Sequence, residues 1–359
     1  MRALIYLTLS YLLLIGPLIS STLACTAFSF ETPEGTFYAA NLDYFIRPDG
    51  LVFINRRGIS KESITTSSIA KSEEWVSTYG SVTFNIAGRG FVWGGMNEAG
   101  LVITMLELKD AKFPEPDTRP PLDIGVWTQY VLDTCGTVQE VIDVDSRVRP
   151  ASLGNPPQHW MVTDATGNTA ALEYLDGRFV VYTGQDLPVR AMSNMPYGLA
   201  LEAYNRGGHP WWRWSSNPGQ SAERFAAAAR RMQNFDPAGG INVIDYSFHT
   251  LSKVVAAAHT KWSVVYDIAK RGVWFGSAAS SPGGKYISLK SFDLSCGAPL
   301  MMLKVDSPIE GNVEKNFVPY NRDTNLEAFY TFSTQAGLEI TPEDVADLMR
   351  TFESFTCAQ

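Results

Sequence analysis

The chain has 359 residues, of which 45% are apolar and 12% aromatic, and its formal net charge is −8. That composition supplies a full hydrophobic core and excludes a disordered chain. The acidic balance, with Lys and Arg scattered, excludes a nucleic-acid surface, because phosphates need a concentrated basic face. Four cysteines (Cys25, Cys135, Cys296 and Cys357) are too few for a disulfide scaffold. No CxxC or HxxxH spacing occurs, so neither a metal nor another cofactor is expected. Cys296 and Cys357 can pair in an oxidising compartment, although sequence does not settle the connectivity.

Residues 1–24 read as a secretory signal peptide: Arg2, an apolar run from Ala3 to Ile19, then small residues ending in Ala24. A membrane anchor is the alternative, but Pro17 interrupts a run barely long enough to span a bilayer. Cleavage after Ala24 leaves 25–359 as a single domain, secreted or periplasmic, with no stable membrane insertion. Cys25 to Asp43 reads as a hairpin turning at Thr32-Pro33-Glu34-Gly35. Strands are expected at Leu51–Ile54, Val82–Phe84, Gly90–Trp93 and Leu101–Leu108, the last two joined by a turn at Asn97–Gly100. After the proline-rich stretch Phe113–Pro121 the spacing predicts a helix over Ile124–Leu132, then another opened by Thr137 as a cap. Trp160–Val162 and Ala170–Tyr174 are strands, and Asp176-Gly177 turns the chain back through Phe179–Tyr182. Ser221–Met232 and Val243–Ala258 are helical, and Trp262–Asp267 with Gly272–Gly276 forms a late hairpin. Strands, helices and strands again suggest sheets between helical layers, an α+β architecture.

The cleavage site would make Cys25 the first residue of the mature chain. A terminal nucleophile carries its own base, because an unperturbed α-amine titrates near about 7.7–8.0. Its thiolate would attack an amide carbonyl, form a thioester and release an amine. A buried structural cysteine is the competing reading.

The residues that follow Cys25 carry a resemblance. Cys25-Thr26-Ala27, Asn41-Leu42-Asp43 and Gly95-Met96-Asn97-Glu98-Ala99-Gly100-Leu101 appear in order. They are followed by His159–Asp164, Ala191–Pro196, Ser221–Phe225 and Thr260–Asp267. This series resembles the choloylglycine hydrolase and penicillin V acylase family, linear amide C–N hydrolases, over nearly the whole mature chain. The resemblance implies a four-layer α-β-β-α N-terminal-nucleophile hydrolase fold, with catalytic residues Cys25, Asp43, Asn194 and Arg224. Asp43 would hold the α-amine of Cys25, Asn194 would donate to the oxyanion, and Arg224 would stand near the nucleophile. It also implies a homo-oligomer.

Two positions depart from the family pattern. Ala40 stands where an Arg usually supports the thiolate. Glu107 stands where bile salt hydrolases carry an Asn donor and acid-ceramidase-like relatives carry Glu. An ionised Glu107 would repel an oxyanion, so it must be protonated or serve the amine side. Trp211, Trp212 and Trp214 would line an apolar acyl pocket or pack in the core. The partner expected is therefore a small-molecule acyl amide. Candidates are penicillin V-like aryl-acyl amides, N-acyl amino acids, acyl homoserine lactones and fatty-acyl amides. Acyl transfer to an amine, or a binding protein impaired in turnover, are the alternatives.

Overall fold

The computed structural model describes residues 25–47, 49–63, 73–152, 156–207, 218–255, 260–277, 280–338 and 341–359. The proposed signal peptide and the Trp211-Trp212 cluster lie outside these residues. Two large sheets organise the rest. Sheet A has seven strands in the order Ala191–Met192, Thr26–Thr32, Gly35–Asp43, Thr260–Asp267, Gly272–Ser277, Lys285–Ser288 and Gly311–Asn312. Sheet B has nine, in the order Arg178–Thr183, Thr169–Leu175, Gln158–Thr163, Val102–Glu107, Val92–Asn97, Ser81–Asn85, Leu51–Asn55, Met301–Lys304 and Val318–Pro319.

The sheets pack face to face through side chains that alternate along each strand. Tyr38 of sheet A reaches Thr104 Oγ1 and the carbonyl of Met161 in sheet B. Phe84 of sheet B meets Tyr266 and Phe275 of sheet A edge to face. Helices cover the outer faces. Pro218–Gln233 and Val243–Lys253 lie on sheet A, and Ile124–Thr134 lies on sheet B. The architecture is the α-β-β-α sandwich expected. Among the described residues no helix is long and apolar enough to cross a membrane.

Local chemistry explains where these elements start and stop. Asp123 caps Ile124–Thr134 by accepting from Gly125 N–H, and Thr137 forms a full capping box with Glu140. The helix expected to reach Ala258 ends at Lys253, and residues 256–259 lie outside the described set. Its terminal carbonyls are captured by the hairpin: Asn41 Nδ2 donates to Leu251 O at 3.0 Å, and Thr26 Oγ1 donates to Val254 O at 3.3 Å. The Val254 carbonyl thereby gains a partner, and the Leu251 carbonyl, which already accepts from the Val254 N–H, gains a second. The strand expected at Gly90–Trp93 is instead Val92–Asn97. Gly88 and Gly90 both take positive φ, which makes the preceding segment a turn. The helices Tyr197–Asn205, Arg322–Ala336 and Pro342–Glu353 were not anticipated.

Cys296 and Cys357 form a disulfide with their Cα atoms 5.4 Å apart, 61 residues separated in sequence. It fastens the C-terminal strand Thr356–Cys357, which pairs with Ile59–Glu62. Closing a loop of that length in the unfolded chain should stabilise the fold by about 4 kcal/mol. The double variant Cys296→Ser/Cys357→Ser should lose that amount in guanidinium unfolding. An unchanged midpoint would remove the bridge from any stabilising role.

Candidate active site

The site grows from the hairpin. Side chains alternate, so Cys25, Ala27, Ser29, Tyr38, Ala40 and Leu42 share the face toward sheet B. Thr26, Asn41 and Asp43 face the helix layer, where Thr26 and Asn41 hold the end of Val243–Lys253. Ala191–Met192 pairs with Thr26–Thr32, the strand after Cys25, in the register Ala27↔Met192 and Phe28↔Ala191. That pairing brings Ser193 and Asn194 level with Cys25.

Cys25 is 1% exposed. Its Sγ lies 3.9 Å from the carbonyl oxygen of Asp43, to which it donates weakly. Burial pushes the thiol up to about 12, and the Asp43 charge adds to the rise. The Asp43 carbonyl contact, the Trp93 indole and the Arg224 charge pull the other way and lose. In this environment the sulfur is a protonated thiol at neutral pH.

Arg224, on Pro218–Gln233, is also buried. One nitrogen, Nη1, donates to Cys25 O at 2.5 Å and to Thr26 Oγ1 at 2.6 Å. The other, Nη2, donates to Asn194 Oδ1 at 3.1 Å. Guanidinium has no acceptor, so the Asn194 oxygen must face it and the NH2 must face away. The Asn194 NH2 donates to the main-chain oxygen of Glu107 at 2.8 Å. Ser221 Oγ donates to Ser193 Oγ at 2.9 Å and ties the same helix to the same segment. Burial lowers the pKa of Arg224, while Asp43 and Cys25 oppose that.

Asp43 is fully buried and accepts a hydrogen bond from Thr260 Oγ1. The register of strand Thr260–Asp267 shifts between Thr260 and Trp262, leaving Lys261 as the extra residue of a bulge. The bulge sets Thr260 opposite Asp43 and brings Lys261 into the field of the same carboxylate. Tyr44, the next residue, stacks on Phe332 with ring centroids 5.9 Å apart. Its phenol is pushed up by burial, then by the charges of Glu107 and Cys25.

The structure thus brings Cys25, Asp43, Asn194, Arg224 and Glu107 together. Arg224 reaches Cys25 through its carbonyl oxygen, not its sulfur. Trp211 and Trp212 lie outside the described residues. Sequence reasoning missed Tyr44, Trp93 and Thr260 as neighbours of the site. Tyr44 directly follows Asp43 and Thr260 opens the late strand, but only the cross-strand register and the bulge bring them into the surroundings of Cys25.

A buried thiol, a carboxylate on the paired strand and an oriented amide thus meet on this α-β-β-α sandwich. The model of the linear amide C–N hydrolases, choloylglycine hydrolase family, matches residues 25–210, and the chain belongs to that family. It is 26% identical over 329 residues to the penicillin V acylase of Pectobacterium atrosepticum, which covers 76% of this chain and 83% of the relative. Penicillin V acylase from Agrobacterium tumefaciens superposes with TM-score 0.69 at 22% identity, covering 83% of this chain and 98% of the other. A mutant of the conjugated bile acid hydrolase from Clostridium perfringens gives TM-score 0.65 at 16% identity, covering 78% and 96%.

Two measurements check this geometry. Arg224→Gln leaves Cys25 O, Thr26 and Asn194 without their common donor, and should destabilise the fold by about 3–5 kcal/mol in urea or guanidinium titration. Stability within 1 kcal/mol of the parent would mean that the fork does not hold the site. In the full-length chain the Cys25 nitrogen is an amide and the thiol stays near 12. Alkylation of Cys25 by iodoacetamide should then climb roughly tenfold per pH unit from pH 7 to beyond 10. A plateau below pH 9 would contradict the buried-thiol environment.

Proposed function

We propose that this amidohydrolase works as a cysteine N-terminal nucleophile, secreted and matured by cleavage after Ala24. The observation that carries the reading is the position of Cys25. It immediately precedes the strand Thr26–Thr32, with the Asp43 carbonyl oxygen at its sulfur and the Arg224–Asn194 pair beside it. In this mechanism the freed α-amine of Cys25 takes the thiol proton and Asp43 orients that amine. The sulfur forms a bond to the amide carbon while the carbonyl electron pair moves to oxygen. Asn194 donates to that oxygen, an interaction worth about 2.7–4 kcal/mol in the transition state. Collapse expels the amine, which takes the proton, and leaves a thioester on Cys25. Water then resolves the thioester by the reverse sequence. The Cys296–Cys357 disulfide fits an oxidising compartment.

Fatty- or aryl-acyl amides with small amine groups are the proposed substrates. The penicillin V acylase relative supports an aryl-acyl amide. Ala40 leaves no cation on the inter-sheet face beside Cys25, and Glu107 adds a carboxyl group, so anionic conjugated bile salts should be poor substrates.

The test is a panel of N-acyl amides followed by intact mass. Secreted protein should begin at Cys25, release amine from penicillin V or a fatty-acyl amide, and show a transient acyl adduct. Cys25→Ala, or one extra residue before Cys25, should lower the rate at least a thousandfold. Wild-type turnover in Cys25→Ala would overturn the mechanism. Preferred turnover of taurine- or glycine-conjugated bile salts would overturn only the substrate assignment.

A further inference from the structure

Trp93 is a large polar-tipped side chain at the site that the mechanism above does not use. It is 1% exposed, and its indole Nε1 is buried without a hydrogen-bond partner. Buried indole N–H groups nearly always have an acceptor, so an orphaned one needs an explanation. The backbone around it is specialised. Opposite Ser81–Asn85 the register runs Asn85↔Val92 and then Phe84↔Gly94, which leaves Trp93 as the extra residue of a β-bulge. Bulges re-aim one side chain at the expense of a regular ladder. Here the re-aimed ring packs edge to face on Trp262 across the sheets, with centroids 6.0 Å apart and planes at 80°. Trp262 in turn is accommodated by Gly50, where a Cβ would stand 2.4 Å from the Trp262 ring. Trp262 pairs with Leu42, one position beyond the Thr26↔Asn41 pair, so the Trp93 ring packs on the row of side chains that carries Cys25, and its N–H acts on the thiol without being aligned on it.

Arg224 is engaged with the Cys25 carbonyl oxygen, Ala40 carries no polar atom, and the contact with Asp43 O is one in which sulfur is the donor. A neutral thiol is a weak acceptor, so the Trp93 N–H has little to gain in the resting state. A thiolate is a strong one.

We propose that Trp93 is the hydrogen-bond donor to the Cys25 thiolate, held in place for an acceptor that exists only during the reaction. This rests on Cys25 being the nucleophile, as set out above. When the thiol proton passes to the α-amine, the sulfur anion accepts the indole hydrogen. As the sulfur lone pair forms the bond to the acyl carbon the acceptor fades, and it returns when the thioester collapses. No bond at Trp93 forms or breaks.

The test reads the sulfur directly, apart from turnover. Protein beginning at Cys25 is alkylated with iodoacetamide across pH 5–10 and followed by intact mass. Trp93→Phe removes the donor and keeps an aromatic ring. It should move the midpoint of the pH profile up by about one unit, with alkylation at pH 7 falling roughly tenfold. Trp262→Phe removes the neighbouring N–H and should leave the midpoint in place. The midpoint, not the plateau rate, is the readout, because a smaller ring also changes access. An unshifted midpoint in Trp93→Phe would overturn the proposal. So would an equal shift in Trp262→Phe, because the effect would then be loss of packing. If Trp93→Phe does not fold, the wild type decides. With 15N-labelled indoles, one Hε1 resonance should titrate with the same midpoint as alkylation and stop titrating once Cys25 is alkylated. Absence of any such resonance would overturn the donor role. Loss of the acyl adduct in an otherwise alkylatable wild type would instead count against Cys25 as the catalytic nucleophile.

Discussion

A buried guanidinium is tolerated only where acceptors surround it, and that requirement organises this site. On the helix Pro218–Gln233, Arg230 and Arg231 lie over the rings of Tyr204 and Tyr246. Arg224 points inward instead, and its acceptors come from separate parts of the chain: the Cys25 carbonyl, the Thr26 hydroxyl and the Asn194 side chain. Satisfying one cation therefore fixes the start of the first strand, the face that the Asn194 amide presents, and the distance between them. It also ties an outer helix to the edge of sheet A, together with the Ser221–Ser193 bond.

The same packing that positions Cys25 works against its ionisation. Burial and the neighbouring Asp43 carboxylate both raise the thiol. The C-terminal end of Val243–Lys253, whose last carbonyls meet Asn41 and Thr26, adds negative potential nearby. A thiol so placed is inert toward stray electrophiles and requires a base at contact distance together with a donor for the resulting anion. The freed α-amine and the Trp93 indole would meet those two requirements. Both lie within the first strand or directly across the sheets from it, so neither requires a movement of the fold.

Much of the architecture was legible in the chain. Alternation and turn chemistry located the first hairpin, the Val102–Glu107 strand and the late hairpin, because each is a half-buried antiparallel element with a strong local turn signal. The Thr137 cap could be read because a capping box is a contact across three residues. The length of the second helix on sheet A could not, since what ends it is a pair of side chains more than two hundred residues away. The strand containing Trp93 was displaced for a related reason: a bulge is defined by what lies opposite, and one strand does not show its own register.

Residue types were decided by the sequence itself: a cysteine soon after an apolar run, a carboxylate at the end of the returning strand, an Asn after a short strand and an Arg within an Ala-rich helix. Those are matters of covalent order and local periodicity, and the ordered likeness to a known family rests on them. What each group touches was decided only by the tertiary structure. That Arg224 grips the carbonyl of Cys25 and not its sulfur depends on how a helix docks on a sheet. That Trp93 packs on Trp262 depends on two sheets closing face to face. Such contacts join residues far apart in the chain, and their geometry is set by packing, which no local pattern encodes.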